Sequence, residues 1–214
     1  MFKKILIGIV LLVVIGAIAS SGGDDNKVSP ASAPVSTTSN SQSSTTPDKP
    51  QEPAKPSVKT YKAGMYKIGQ DMPSGEYVLI GSGPMSYFEV ARDSVGQLAS
   101  IISNDTFGKR SIITVIDGQY LKLTGCIAYS FTDAPKVKLV DGFLLDGMYK
   151  VGVDLPGGEY KVIPEGNMSY KEVSKDSTHS LHSIISNDIL QGEGYATIKD
   201  GQYLKLTGAK IKVQ

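Results

Sequence analysis

The sequence predicts an all-β protein: two tandem small antiparallel β-sandwich or barrel-like domains after a transmembrane or signal helix and a disordered linker. Three observations point there. The chain beyond Tyr61 repeats itself at a constant offset of 83 residues. Within each copy, β-branched and aromatic runs are separated by Gly, Pro, Asn and Asp every 8–12 residues or so, the spacing of small sandwiches and barrels. No stretch in either copy sustains a helical period, apart from a single turn near Val95–Ser100.

The first element, residues 1–23, opens with Lys3 and Lys4 and continues as an unbroken apolar run from Ile5 to Ala19. Lysines before such a run and Asp24 and Asp25 after it orient the N-terminus to the cytoplasm and the remainder outside. As a helix the apolar run spans roughly 22 Å, and with the small residues up to Gly23 it approaches a bilayer core of about 30 Å. Ala17-Ile18-Ala19 offers a signal-peptidase site. The length favours an uncleaved anchor, with secretion after cleavage as the alternative. A lipid anchor at a cleavage site is excluded, because the only cysteine is Cys126.

Residues 24–60 form the linker. Six of the eleven prolines fall there (Pro30, Pro34, Pro47, Pro50, Pro53, Pro56), among Ser/Thr runs such as Ser43-Ser44-Thr45-Thr46. Such a stretch buries too little apolar surface to offset the entropy of ordering, so it reads as a spacer.

The two repeats occupy residues 61–140 and 141–214. Gly64-Met65-Tyr66-Lys67 returns as Gly147-Met148-Tyr149-Lys150, and the run Asp117 to Gly125 returns unchanged as Asp200 to Gly208. From Gly64 to Cys126, 36 of 63 positions match their partner without a gap, which marks a duplicated structural unit. In the second copy the pattern predicts up to seven strands, near Met148–Val151, Glu159–Ile163, Ser169–Ser174, Leu181–Ile185, Gly194–Ile198, Gln202–Thr207 and Lys210–Val213. Asp117-Gly118 and Asp200-Gly201 suit two-residue hairpins. Leu155-Pro156-Gly157-Gly158 reads as a turn, and not as a sorting signal. Four tyrosine pairs, Tyr66/Tyr149, Tyr77/Tyr160, Tyr87/Tyr170 and Tyr120/Tyr203, belong to the shared core or its rim.

Tyr149 to Tyr160, Ser169 to Val173 and Asp200 to Gly208, with their counterparts in the first copy, carry a resemblance. They are similar to the tandem repeats of uncharacterised exported proteins of Gram-positive bacteria, which join a hydrophobic N-terminal segment, a Ser/Thr/Pro-rich stretch and this repeat. The resemblance covers most of the chain beyond Tyr61 and implies export, with no particular activity.

Composition narrows the function further. A net charge of +1 and only two arginines, Arg92 and Arg110, leave no footprint for nucleic acid. His179 and His182 have the type and spacing for zinc, but the first copy has Gly96 and Ala99 there, so two exposed histidines are the expectation and no metal or other cofactor is called for. Asn104-Asp105 and Asn187-Asp188, with Asp93 and Asp176, lack the dense spacing of a calcium loop and read as turns. Cys126 corresponds to Ala209 and reads as a buried thiol. The repeat-matched carboxylates Glu76/Glu159 and Glu89/Glu172 have the residue type of a glycosidase pair, but Glu76 and Glu159 each follow a turn glycine at a strand start and read as solvated charges.

One contrast between the copies suggests a contact surface. The first has Val78, Phe88 and Ile116 where the second has Lys161, Lys171 and Lys199, and lysine is rarely buried. These three apolar residues are therefore expected on a face of the first repeat that packs against the second repeat or a partner. The expected role is that of a cell-membrane protein, single-pass with its C-terminal domains outside, and a non-enzymatic binding or surface-interaction module. Its expected partners are the membrane, through the N-terminal segment, and cell-wall glycan or an extracellular protein. The alternatives are a divergent extracytoplasmic hydrolase with a site between the repeats, or a structural spacer. Oligomeric state is left open.

Overall fold

The computed structural model describes residues 58–213. The apolar run, the linker as far as residue 57 and Gln214 lie outside the described residues, and with them the anchor, signal and spacer expectations. Among the described residues no helix is long and apolar enough to cross a membrane.

The first repeat contains eight strands: β1 (Thr60–Tyr61), β2 (Gly64–Lys67), β3 (Gly75–Gly81), β4 (Ser86–Ala91), β5 (Ile101–Phe107), β6 (Arg110–Val115), β7 (Tyr120–Thr124) and β8 (Cys126–Ser130). The second contains β9 (Phe143–Leu144), β10 (Gly147–Lys150), β11 (Gly158–Pro164), β12 (Ser169–Ser174), β13 (Ile184–Leu190), β14 (Gly194–Ile198), β15 (Tyr203–Thr207) and β16 (Ala209–Lys212). Each repeat has two four-stranded sheets, ordered β1-β8-β3-β6 and β2-β7-β4-β5 in the first and β9-β16-β11-β14 and β10-β15-β12-β13 in the second. All strand pairings within the sheets are antiparallel. Advancing every strand number by eight turns the first order into the second.

The alternation that predicted strands also sorts side chains. In β7, Leu121 and Leu123 are buried while Lys122 and Thr124 face solvent, as a two-residue period requires. Phe88, Leu79, Ile113 and Leu121 centre one core, and Val162, Ile198, Leu204 and Ile211 the other. Tyrosines tie the turns down: Tyr77 donates to the Pro73 carbonyl at 2.7 Å and Tyr149 to that of Leu145 at 2.8 Å, each four residues back. Gly81 is required by close approach, since a Cβ there would lie 2.1 Å from the Gly108 carbonyl oxygen.

Four expectations need correction. Asp117-Gly118 does make a turn, with Gly118 at φ +87° and Gln119 donating to the Ile116 carbonyl, but it joins β6 to β7 in different sheets. It is therefore a sheet-to-sheet crossover, not a two-residue hairpin. Asn104-Asp105 and Asn187-Asp188 lie inside β5 and β13, and not in turns. There the Asn104 and Asn187 amides donate to the Tyr87 and Tyr170 hydroxyls at 3.2 Å, so the neighbouring strand satisfies them. Leu181–Ser183 is a 3₁₀ turn preceding β13, matched by Leu98–Ser100 in the first repeat. The two-residue β9 is too short to stand out from the pattern.

Candidate functional site

The two repeats meet through different surfaces, and the contact begins with a polar centre. Glu76, at the start of β3, accepts hydrogen bonds from Lys150 Nζ at 2.7 Å, from Ser177 Oγ at 3.0 Å and from the Tyr203 hydroxyl. Its side chain is only 17% exposed, so the expectation of a solvated charge is corrected for Glu76, while Glu159 stays exposed beside Thr197. Burial, the largest single influence, would pull the Lys150 ammonium down, but Glu76 and Tyr203 together outweigh it and its pKa is raised. Burial first, then Glu76, raises that of Tyr203. Both oxygens of this carboxylate are engaged by groups of the second repeat, which makes it a joint.

Around this centre the seam is apolar. Val78 and Ile112 of the first repeat pack with Met148 and Tyr203 of the second, and Ile80, Phe131 and Ala134 pack at the margin. Arg110 closes one end: its Nε donates to the Met148 carbonyl at 3.2 Å and its terminal nitrogen pairs with Asp154 at 3.2 Å.

His179 closes the other end. It sits at φ +57° on the loop before β13 and enters the open side of the first sandwich. Its Nε2 lies 2.9 Å from the Ile112 carbonyl, its ring packs edge-on to Phe88 at 4.8 Å, and Asp105 lies 3.7 Å from Nδ1. Asp105 is itself paired with Lys205 at 2.6 Å and makes no hydrogen bond to the ring, which is held by the Ile112 carbonyl and by Phe88. Burial dominates and lowers the histidine pKa below its ordinary value, so the neutral ring with a proton on Nε2 fits the carbonyl acceptor. Beside it, Ser177 bonds along β6: Thr114 N–H donates to the Ser177 carbonyl at 3.0 Å, and the two hydroxyls lie 2.8 Å apart. The loop thus covers an edge strand that would otherwise be open.

Of the three residues read as a contact surface, Val78 and Phe88 are fully buried, Val78 in the seam and Phe88 under His179. Ile116 is 60% exposed at the turn and takes no part in the seam. The premise about their counterparts holds for Lys161 but not for Lys171, whose side chain is only 16% exposed and donates to the Tyr195 carbonyl at 2.8 Å. His182 is exposed on the 3₁₀ turn, so the two histidines do not form a pair. Asp93 and Asp176 spend their oxygens on Ser100, and on Thr178 and Ser183, within their own loops. Cys126 is buried, and burial pushes its thiol up to about 11. Among the described residues no three His, Cys, Asp or Glu side chains are grouped to share a metal ion.

A concave surface lies open at the connector. A groove of about 210 Å³ runs where the connector between the repeats lies over the first sandwich. Its apolar lining comes from Ile80, Val137, Leu145 and Tyr149, and its charges are Lys109, Arg110, Lys136 and Lys138 against a single carboxylate, Asp146. Arg110 is held by Asp154, while Lys109, Lys136 and Lys138 are exposed and make no side-chain hydrogen bond or ion pair among the described residues. The sequence signal for this groove was the alternation Lys136-Val137-Lys138 in the connector, a segment with no counterpart in the repeat and so outside the comparison of copies. No protein-family model, curated protein or solved structure matches the chain.

Proposed function

We propose that this chain is an extracytoplasmic, membrane-tethered binding protein without catalytic activity, and that its target is a cell-wall glycan carrying anionic groups. The observation that carries the reading is the connector groove, where three unpaired lysines surround an apolar lining. Such a surface attracts phosphate or carboxylate groups and offers no convergent acid–base pair. Display outside the membrane rests on the order of Lys3-Lys4, the apolar run and Asp24-Asp25.

The test is titration of the full chain in detergent micelles with a purified anionic wall polymer and with a neutral glycan of matched length. Binding of the anionic polymer, weakened by salt and by about tenfold or more in the Lys136→Glu/Lys138→Glu double variant, is the expected result. Both lysines are exposed, so the fold is retained. Equal affinity for the neutral glycan, or no binding to either, would refute the proposal. Cell fractionation with N-terminal sequencing tests the tether separately: a mature chain beginning after Ala19 and found in the medium would overturn it.

A further inference from the structure

The joint between the repeats is heterologous, so each repeat keeps unused the surface that the other employs. The first repeat offers β6 and the outer face of its β3 sheet, and the second offers its β10-β15 face and the Ser177–His179 loop. Left over are the β14 edge of the second repeat and the β2-β7 face of the first. Contacts of this type between like units do not close on themselves, and continue end to end unless something stops them.

Much of the joint's chemistry is still present on the two unused surfaces. Glu159 stands where Glu76 does, and Ser94, Lys67 and Tyr120 stand where its three partners Ser177, Lys150 and Tyr203 do. Met65, the counterpart of Met148, is 43% exposed. Tyr195 stands in place of Ile112, and four further positions break the match by charge or by loss of the inserted ring. Lys161 replaces Val78, which would place an ammonium in the apolar seam beside Lys67. Glu193 replaces Arg110 and would meet Asp71, the counterpart of Asp154, so an ion pair becomes a repulsion. Lys171 replaces Phe88 and already donates to the Tyr195 carbonyl, the counterpart of the Ile112 carbonyl that receives His179. Gly96 replaces His179, so no ring is available to enter. In place of a partner, Lys161 and Glu193 pair with each other at 2.6 Å.

We infer that these four substitutions form a stop: the unused surfaces fit a second copy of this chain, and Lys161, Lys171, Glu193 and Gly96 prevent that copy from docking. The duplication therefore makes one joint and no filament. Like charges set face to face, with an acceptor already occupied, discriminate against an unwanted partner more effectively than the loss of one attraction.

The test uses two full-length chains in detergent micelles, examined by sedimentation velocity over a wide concentration range. One carries Lys161→Val, Lys171→Phe and Glu193→Arg, and the other carries Gly96→His. Gly96 sits at φ +77° in open space, close to the φ of His179, so the second copy already shows a histidine on this backbone. The wild type and each variant alone are expected to stay monomeric, and the mixture to form a one-to-one complex at least about tenfold tighter than any wild-type self-association. Circular dichroism checks each fold. If Lys171→Phe unfolds the triple variant, the exposed pair Lys161→Val/Glu193→Arg replaces it, with a smaller but still measurable gain expected. A folded pair that does not associate, or wild-type chains that already associate through Glu193 and Asp71, would overturn the inference.

Discussion

Val78→Lys gives the second repeat's residue to the first and tests whether the seam holds the two together. Val78 is fully buried against Ile112, Met148 and Tyr203. Burying a valine contributes about 1.5–3 kcal/mol, which the substitution forfeits. The incoming ammonium is also worse placed than Lys161, which pairs with Glu193 and is 47% exposed. The carboxylate near position 78 is Glu76, already paired with Lys150 and bonded by Ser177 and Tyr203, so the newcomer meets a like charge and competes for an acceptor already in use. Adding the cost of an uncompensated, partly desolvated charge brings the loss to about 3–5 kcal/mol. For a unit of this size that is a fall in melting temperature of roughly 6–20 °C. Thermal and urea unfolding give the loss, and small-angle scattering shows the repeats separating before either unfolds. Lys161→Val is the matched control and is expected to change stability by about 0.5 kcal/mol or less. If Val78→Lys leaves the midpoint unchanged, or if Lys161→Val costs as much, the seam does not organise the molecule.

Other outcomes follow from single groups. His179 binds its proton less readily in the folded chain than in the unfolded one, so its contribution is complete above its ordinary value of about 6.5 and is lost as the pH falls below that. Urea midpoints at pH 7.5 and 5 are expected to differ more in the wild type than in His179→Asn, and an equal difference would remove the histidine from the account. Cys126, with its thiol near 11, is expected to resist alkylation at pH 8 in the folded chain and to react once urea is added; modification of the native protein at the rate of a free thiol would contradict its burial. Ser111 Oγ is buried without a protein partner beside a void of about 10 Å³. Ser111→Ala is expected to leave stability unchanged or raise it by up to about 1 kcal/mol, and a clear loss would show that the hydroxyl has a bonded partner in solution.

Strand content and the duplicated topology were legible because both depend on local signals: alternation in β7 and β15, turn residues between strands, and a gapless match between copies. What stayed hidden was which strands pair. Asp117-Gly118 looks like a hairpin because the residues that send β7 to the other sheet are the cores on either side of it, and they are remote in sequence. Comparing the copies marked Val78 and Phe88, since a position that is apolar once and charged once has two environments. The same comparison grouped Ile116 with them, but it lies exposed on a turn tip outside the seam, where either residue is tolerated. It also misjudged Lys171, whose long stem lies in the sandwich while its ammonium reaches a backbone carbonyl.

That last residue shows how the two copies diverged together. The open side of each sandwich needs a group to fill it and a donor for one outward-facing carbonyl of its edge strand. In the second repeat Lys171 supplies both from within the fold. In the first, Phe88 supplies only the apolar part, and the donor comes from His179 of the neighbouring repeat. Phenylalanine at position 88 is thus useful only if a histidine arrives from outside, and the histidine has a site only because no lysine occupies it. Neither change is of use alone, so the Phe88/Lys171 and Gly96/His179 differences are expected to be coupled. A double-mutant cycle of Phe88→Lys and His179→Gly should give an interaction energy of at least about 1 kcal/mol, with the double variant more stable than the sum of the single losses predicts. Additive losses would mean that the two positions drifted independently, and that the seam rests on its other contacts, those of Val78, Glu76 and Arg110.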